Sequence, residues 1–191
     1  VSVDLDATVA GPTANAYCDA DTAQAYFDGR PFAAAWTAAS LSQREQALVY
    51  ATMLLDREKW VGIKGTTTTG GYAQALAWPR RWAQSLEFDQ QADYIAEYFV
   101  DTTIAYYSSL TIPVPIIRAT CELALAVLNA GTTDPFIDGT RNIRSERVDV
   151  LDTVYLDVHL RTRGLGLFPQ VVALVAPLLR SQSQGAQMER I

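Results

Sequence analysis

The chain has 191 residues, 49% of them hydrophobic, with a net charge of −6 and a pI near 4.7. That length and apolar content suit one domain with a real core. The acidic balance argues against a general nucleic-acid binder, whose affinity rests on neutralising phosphates with Lys and Arg, although a local basic patch is compatible with it. No run of eighteen apolar residues occurs, and the amino end lacks a basic-then-apolar pattern, so the expectation is a soluble protein without membrane contact. Cys18 and Cys121 have no metal-ligand spacing and read as buried free thiols, with a disulfide as the minor alternative.

In chain order, residues 1–16 are expected to form an extended arm that ends in the turn formers Gly11-Pro12 and Asn15. Asp19 or Asp21 can cap a helix to about Gly29, with Tyr17, Ala20, Ala23, Tyr26 and Phe27 on its apolar side, and Pro31 stops it. A short segment around Phe32–Trp36 follows. Ser42-Gln43-Arg44-Glu45 has capping-box spacing, which predicts a second helix from about Gln43 to Lys59 with Ala47, Leu48, Ala51, Leu54 and Leu55 inward. Residues 61–77 are rich in Gly and Thr and read as a mobile loop. They do not make a phosphate-binding loop, because Lys64 precedes the glycine run instead of closing it. Trp78-Pro79 is extended on steric grounds. The aromatic segment Phe88–Leu110 fits strand or helix, with Asp89–Phe99 favouring helix.

Ile112–Leu128 is the stretch around which the rest must wrap. Pro113 and Pro115 fix an extended lead-in, and strong helix formers follow, with Arg118 and Glu122 as the only charges from Ile116 onward. Asn129–Gly131 signals a C-cap and Thr132–Thr140 a loop. Ile143–Val150 and Thr153–Leu160 alternate as two strands joined at Leu151-Asp152, and Phe168–Leu179 forms a last apolar helix opened by Pro169. The predicted fold class is α+β, mainly α. It is a small helical bundle around a central apolar helix, spanning residues 17–180, with a β-hairpin at about 143–160 and extended amino- and carboxyl-terminal arms. The polar segment 181–191 is the carboxyl-terminal tail.

Chemistry-bearing patterns are sparse. His159 is the single histidine, without a second His or nearby Cys for a zinc site and without a marked nucleophile. No enzyme, cofactor or metal is therefore expected. One constellation, Lys59, Lys64, Trp78, Arg80, Arg81 and Trp82 together with Trp60, interleaves cations with indoles as single-strand binders do. The competing reading, that Trp60 and Trp78 close the core beneath the loop while Arg80 and Arg81 are solvated or paired, is favoured because tryptophan is usually well buried. Charge is also asymmetric. Asp4 and Asp6 lie in an amino end free of Lys and Arg, whereas Arg141, Arg144 and Arg147 cluster late, so the two could meet between copies or simply be solvated.

The order of several strings resembles a known family. These are the Tyr-Phe helix at Ala20–Arg30, Gln46-Ala-Leu48 leading to Leu54-Leu-Asp56, Trp60-Val-Gly62, Gln74-Ala-Leu-Ala-Trp-Pro-Arg80, Ile112-Pro113 and Ala119-Thr-Cys-Glu-Leu-Ala124, followed by an Ile143–Val150 strand and a Pro-initiated last helix. They are similar to tailed-phage proteins labelled DnaT-like single-stranded-DNA-binding proteins, which look like head-to-tail adaptors, also called connector or head-completion proteins. The resemblance covers most of residues 15–180 and departs at Arg81–Thr111, where this chain has a longer connection. It implies a structural virion protein that forms a homo-oligomeric ring, a dodecamer, beneath the portal protein. Such a ring extends the channel through which double-stranded DNA passes without specific binding, and it offers an attachment surface to tail or tail-nozzle proteins. It also implies that the carboxyl-terminal segment docks on the portal, through Arg180, Gln182, Gln184, Gln187, Met188, Arg190 and Ile191. The implied location is the bacteriophage head-tail junction, assembled in the host cytoplasm. A single-stranded-DNA binder and a tail-terminator or tail-tube subunit are the alternatives.

Overall fold

The computed structural model describes residues 3–65, 73–83, 106–131, 145–148, 151–154 and 164–180. The architecture is mainly helical with small antiparallel β-pairs, as the composition and periodicity predict. Helix α1 spans Ala20–Asp28, and of its two candidate caps Asp19 is the one used: its carboxylate accepts from the Thr22 amide at 2.8 Å. The short helix α2, Ala34–Ala38, occupies the segment after Pro31. Arg44 ties it down, donating to the carbonyls of Trp36 and Thr37 at 2.9 and 3.1 Å while its guanidinium lies 5.3 Å from the Trp36 ring centre.

Helix α3 runs from Leu41 to Asp56 and differs from expectation at both ends. The capping box is formed by Ser40 and Gln43, not by Ser42 and Glu45, which lie within the helix. Both pairs have the required spacing, but in the folded chain the Ser40 hydroxyl accepts from the Gln43 amide and the Gln43 side chain accepts from the Ser40 amide. The carboxyl end falls at Asp56 rather than Lys59. Arg57 and Glu58 close it with amide bonds to Leu54 and Leu55, and Trp60 turns away to bridge with Leu179.

Helix α4, Val114–Ala130, is the central element. Pro113 is its N-cap, Pro115 lies in the first turn, and Gly131 follows at φ +64° as the C-terminal signal requires. It packs against α3 most extensively and also against α1, α2 and the last helix, α5, Pro169–Val175. Ile116, Ala119, Cys121, Leu123, Ala124 and Leu125 are buried along it. Trp36, Leu48, Leu55, Trp78, Val171, Val175 and Leu178 complete the core. A 3-10 turn at Gly164–Leu167 precedes α5 and another at Ala176–Leu178 follows it. The chain then lies along residues 59–61, with the Val61 amide donating to Leu178 and the Arg180 amide to Lys59.

Two β-pairs complete the described fold. Strand β1, Ile63–Lys64, lies within the segment expected to be loop and pairs antiparallel with β2, Arg80–Arg81. Gly62 makes this possible, because it sits at φ +72° and a Cβ there would lie 2.4 Å from the Arg81 carbonyl. Strands β3, Ser145–Val148, and β4, Leu151–Val154, form the expected hairpin with a shifted turn. Val148 pairs with Leu151 and Arg147 with Asp152, so Leu151 and Asp152 belong to the ladder and not to the turn. The readings for Asp89–Phe99, Thr132–Thr140, His159 and 181–191 lie outside the described residues.

Candidate functional site

The tryptophan and arginine constellation divides into an inner and an outer set. Trp60 and Trp78 are 5% and 1% exposed and pack edge to face with ring centres 5.8 Å apart. The Trp78-Pro79 peptide is cis, and Pro79 is buried beside it. Arg80 is a strut. Its Nε donates to the Val61 carbonyl at 2.7 Å, Nη2 to Gly62 at 2.8 Å and Nη1 to Ala77 at 3.3 Å, so its donors are directed at backbone oxygens. Burial lowers its pKa, and the neighbouring Tyr17 and Asp56 oppose that shift.

The same segment is anchored from the other side. Gln74 is buried and its Nε2 donates to the carbonyls of Leu76 and Pro79 at 2.8 and 3.0 Å. Asp56, at the end of α3, accepts from the Ala77 amide at 2.6 Å and from the Tyr17 hydroxyl. Burial first and the Asp56 carboxylate second push the Tyr17 phenol far above its ordinary range, so it stays a hydroxyl donor. Gln74-Ala-Leu-Ala-Trp-Pro-Arg80 is thus a folded plug that closes the core with its own polar side chains satisfying its backbone.

The outer set is smaller. Lys59, Lys64 and Arg81 are exposed, and the Lys64 ammonium donates to the Ala75 carbonyl at 2.9 Å. Trp82 is 60% exposed at φ +64°, with its ring centre 6.1 Å from that of Tyr106, itself 47% exposed. Sequence reasoning missed Tyr106, since nothing local marks its meeting with Trp82. The Ala83 carbonyl, which accepts from the Tyr107 amide at 2.8 Å, brings the two segments together.

The residues expected at a subunit contact are placed as follows. Asp4 is exposed. Asp6 organises its own arm, accepting from the Thr8 amide and the Thr13 hydroxyl at 2.9 and 2.8 Å, and these bonds hold its carboxyl below the usual range. The Asn15 side chain completes the knot, accepting from the Asp6 amide and donating to the Asp4 carbonyl, so residues 3–16 fold back on themselves instead of extending. The Ala75 amide, donating to Gly11, joins this arm to the Gln74–Arg80 plug. Arg147 lies on β3, whereas Arg141 and Arg144 lie outside the described residues, as do Gln182, Gln184, Gln187, Met188, Arg190 and Ile191. Arg180 is exposed at the last described position.

A second polar cluster sits on α4. Glu122 is nearly buried, pairs with Arg30 at 2.8 Å and accepts from the Tyr26 hydroxyl. It borders a cavity of about 220 Å³ whose walls include Leu125, Leu167, Phe168 and Val171. Among the described residues no group of three or more side chains could hold a metal ion, and no helix is long and apolar enough to cross a membrane.

A family model described as "Putative DnaT-like ssDNA binding protein" matches residues 5–191. The chain belongs to that family. No curated protein and no solved structure matches it. Within this DnaT-like family member, the plug formed by Gln74–Arg80 and the central helix with Ala119–Ala124 are both scaffold, so the strings that mark the resemblance are explained by packing and backbone satisfaction.

Proposed function

We propose that the protein is a non-enzymatic structural subunit, a tailed-phage head-to-tail adaptor. In this reading it assembles as a ring beneath the portal, extends the DNA channel and presents a surface to the tail. The observation that supports it most is the inward commitment of Trp60, Trp78 and Arg80, which turns the most nucleic-acid-like part of the sequence into a brace for one rigid subunit. An acidic chain suits a channel through which duplex must slide, because tight phosphate contacts would hold it back. Heterologous contacts between copies generate closed rings, and the exposed periphery is available to form them. Negative-stain imaging and mass measurement of the purified protein, alone and with portal particles, test this. Rings that cap the portal are expected. A protein that stays monomeric at high concentration and ignores portal overturns the reading.

The outer set favours a second reading, binding of single-stranded DNA as the family description states. Trp82 and Tyr106 offer two exposed rings, with Arg81 and Lys64 as nearby-strand cations. Oligonucleotide titration at low salt, repeated with Trp82→Ala, decides it: stacking on Trp82 requires about a tenfold or greater loss on substitution, and no binding by the unaltered chain removes this reading.

A further inference from the structure

Phe32 stands in the short connection between α1 and α2 and is unusual in two respects. It is 92% exposed, the most exposed large apolar side chain among the described residues, and its backbone sits at φ +64°, a region that residues with a Cβ adopt only at a cost. A loose connection would relax both features, but this one is pinned on either side. Arg30 pairs with Glu122 on α4 at 2.8 Å and its amide donates to the Phe27 carbonyl, while Arg44 holds the carbonyls of Trp36 and Thr37. The phenyl ring is therefore held out into solvent on a braced mount. Backbone strain kept at such a place calls for a contact made there.

A matching recess lies close by. The cavity beside Glu122 measures about 220 Å³, and Leu125, Leu167, Phe168 and Val171 give it apolar walls. A dry cavity of about 150 Å³ already accommodates benzene, so this one has room for a phenyl group. Both oxygens of Glu122 are engaged, one by the Tyr26 hydroxyl and one by Arg30, which leaves the apolar walls as the surface on offer. Arg30 lines the same cavity, and Phe32 is two residues further on, at most about 7 Å away along the backbone. The ring does not occupy the cavity of its own chain, since it is almost wholly exposed.

We propose that Phe32 of one copy inserts into this cavity of a second copy, and that the two copies exchange rings about a two-fold axis. Because the recess lies beside the projecting ring, a copy that inserts its Phe32 presents its own cavity to the ring it meets, and the contact closes on itself. Such an isologous pair is a different contact from the heterologous ones of a ring of subunits, and it rests on neither functional reading.

Analytical ultracentrifugation of the full-length chain over a range of concentrations tests the pairing, with photo-cross-linking to locate it. A monomer–dimer step is expected. Phe32→Gly should weaken it about 100-fold or more, since two buried phenyl rings are lost at tenfold or more apiece. The same variant should keep or raise the melting midpoint of the dilute protein, because glycine adopts φ +64° without strain. Ala126→Leu, which fills the cavity from its own wall, should also weaken the pair, and Phe32→Gly decides the matter if that chain fails to fold. With para-benzoylphenylalanine at position 32, irradiating a mixture of isotopically labelled and unlabelled chains should give mixed cross-links at Leu125, Leu167 or Phe168 of the other chain. A cross-link within one chain, a cross-link elsewhere on the second chain, or a Phe32→Gly chain that pairs as tightly as the unaltered one would each overturn the proposal. So would an unaltered chain that forms no dimer at any soluble concentration, or a Phe32→Gly melting midpoint that falls in dilute protein, which would assign the ring to its own subunit.

Discussion

Replacing Arg80 by alanine separates a brace from a phosphate contact. The side chain makes three hydrogen bonds to backbone carbonyls, to Val61 at 2.7 Å, Gly62 at 2.8 Å and Ala77 at 3.3 Å. A hydrogen bond from a charged donor contributes about 1.5–3 kcal/mol when well shielded. Arg80 is only partly buried, however, and water can replace some of what is lost, so the expected destabilisation is about 2–4 kcal/mol for all three together. In a chain of this size that lowers the melting midpoint by roughly 5–15 °C. Urea unfolding followed by tryptophan fluorescence is the assay, because Trp78 lies on the plug with Trp60 packed against it, and the two report its loosening. Arg80→Lys should recover little, since one ammonium cannot address three carbonyls spread over the guanidinium fork. If Arg80→Ala unfolded within about 0.5 kcal/mol of the unaltered protein while losing oligonucleotide affinity, the bracing argument would be wrong and Arg80 would be a ligand contact.

Two other predictions concern the Glu122 cluster. Glu122→Gln leaves Arg30 facing a neutral amide on a pair whose side chains are 25% and 9% exposed, and a loss of about 1–3 kcal/mol is expected after allowing for solvent screening at Arg30. A double-mutant cycle with Arg30→Met checks it: if the two single losses simply add, the pair is not coupled. The Tyr26 phenol is pushed up to about 12, first by burial and then by its hydrogen bond to Glu122. Its folded pKa exceeds the ordinary value near 10, so its contribution to stability is complete below pH 10 and is lost as pH rises through about 12. An ultraviolet titration of the protein against Tyr26→Phe measures this. A Tyr26 that ionised at pH 10 would contradict the buried hydrogen bond.

Much of the helical frame was legible because helix signals are local. The Asp19 cap, the prolines before α4, the C-terminal Gly131 and the Pro169 start each act within a few residues, and each stands where the residues suggest. Ambiguity began where two local solutions had equal merit. Ser40 with Gln43 and Ser42 with Glu45 share one spacing, and the folded chain uses the first pair. The β1–β2 pair was invisible for a related reason: two residues carry no periodicity, and their partner lies beyond the glycine-rich segment.

The candidate site shows the same division more sharply. The sequence by itself determined that the chain would build a mainly helical domain around Ile112–Leu128 and that cations and tryptophans would cluster near Trp60 and Trp78. Only the tertiary structure decided which of them face inward. It turned Trp60, Trp78 and Arg80 to the core and left Trp82 outside to meet Tyr106. It folded Asp6 back onto its own arm and buried both Cys18 and Cys121 in the core. Helical periodicity and capping are settled by neighbours along the chain. The direction in which a particular side chain points is settled by which distant surface arrives to pack against it or to accept its hydrogen bonds.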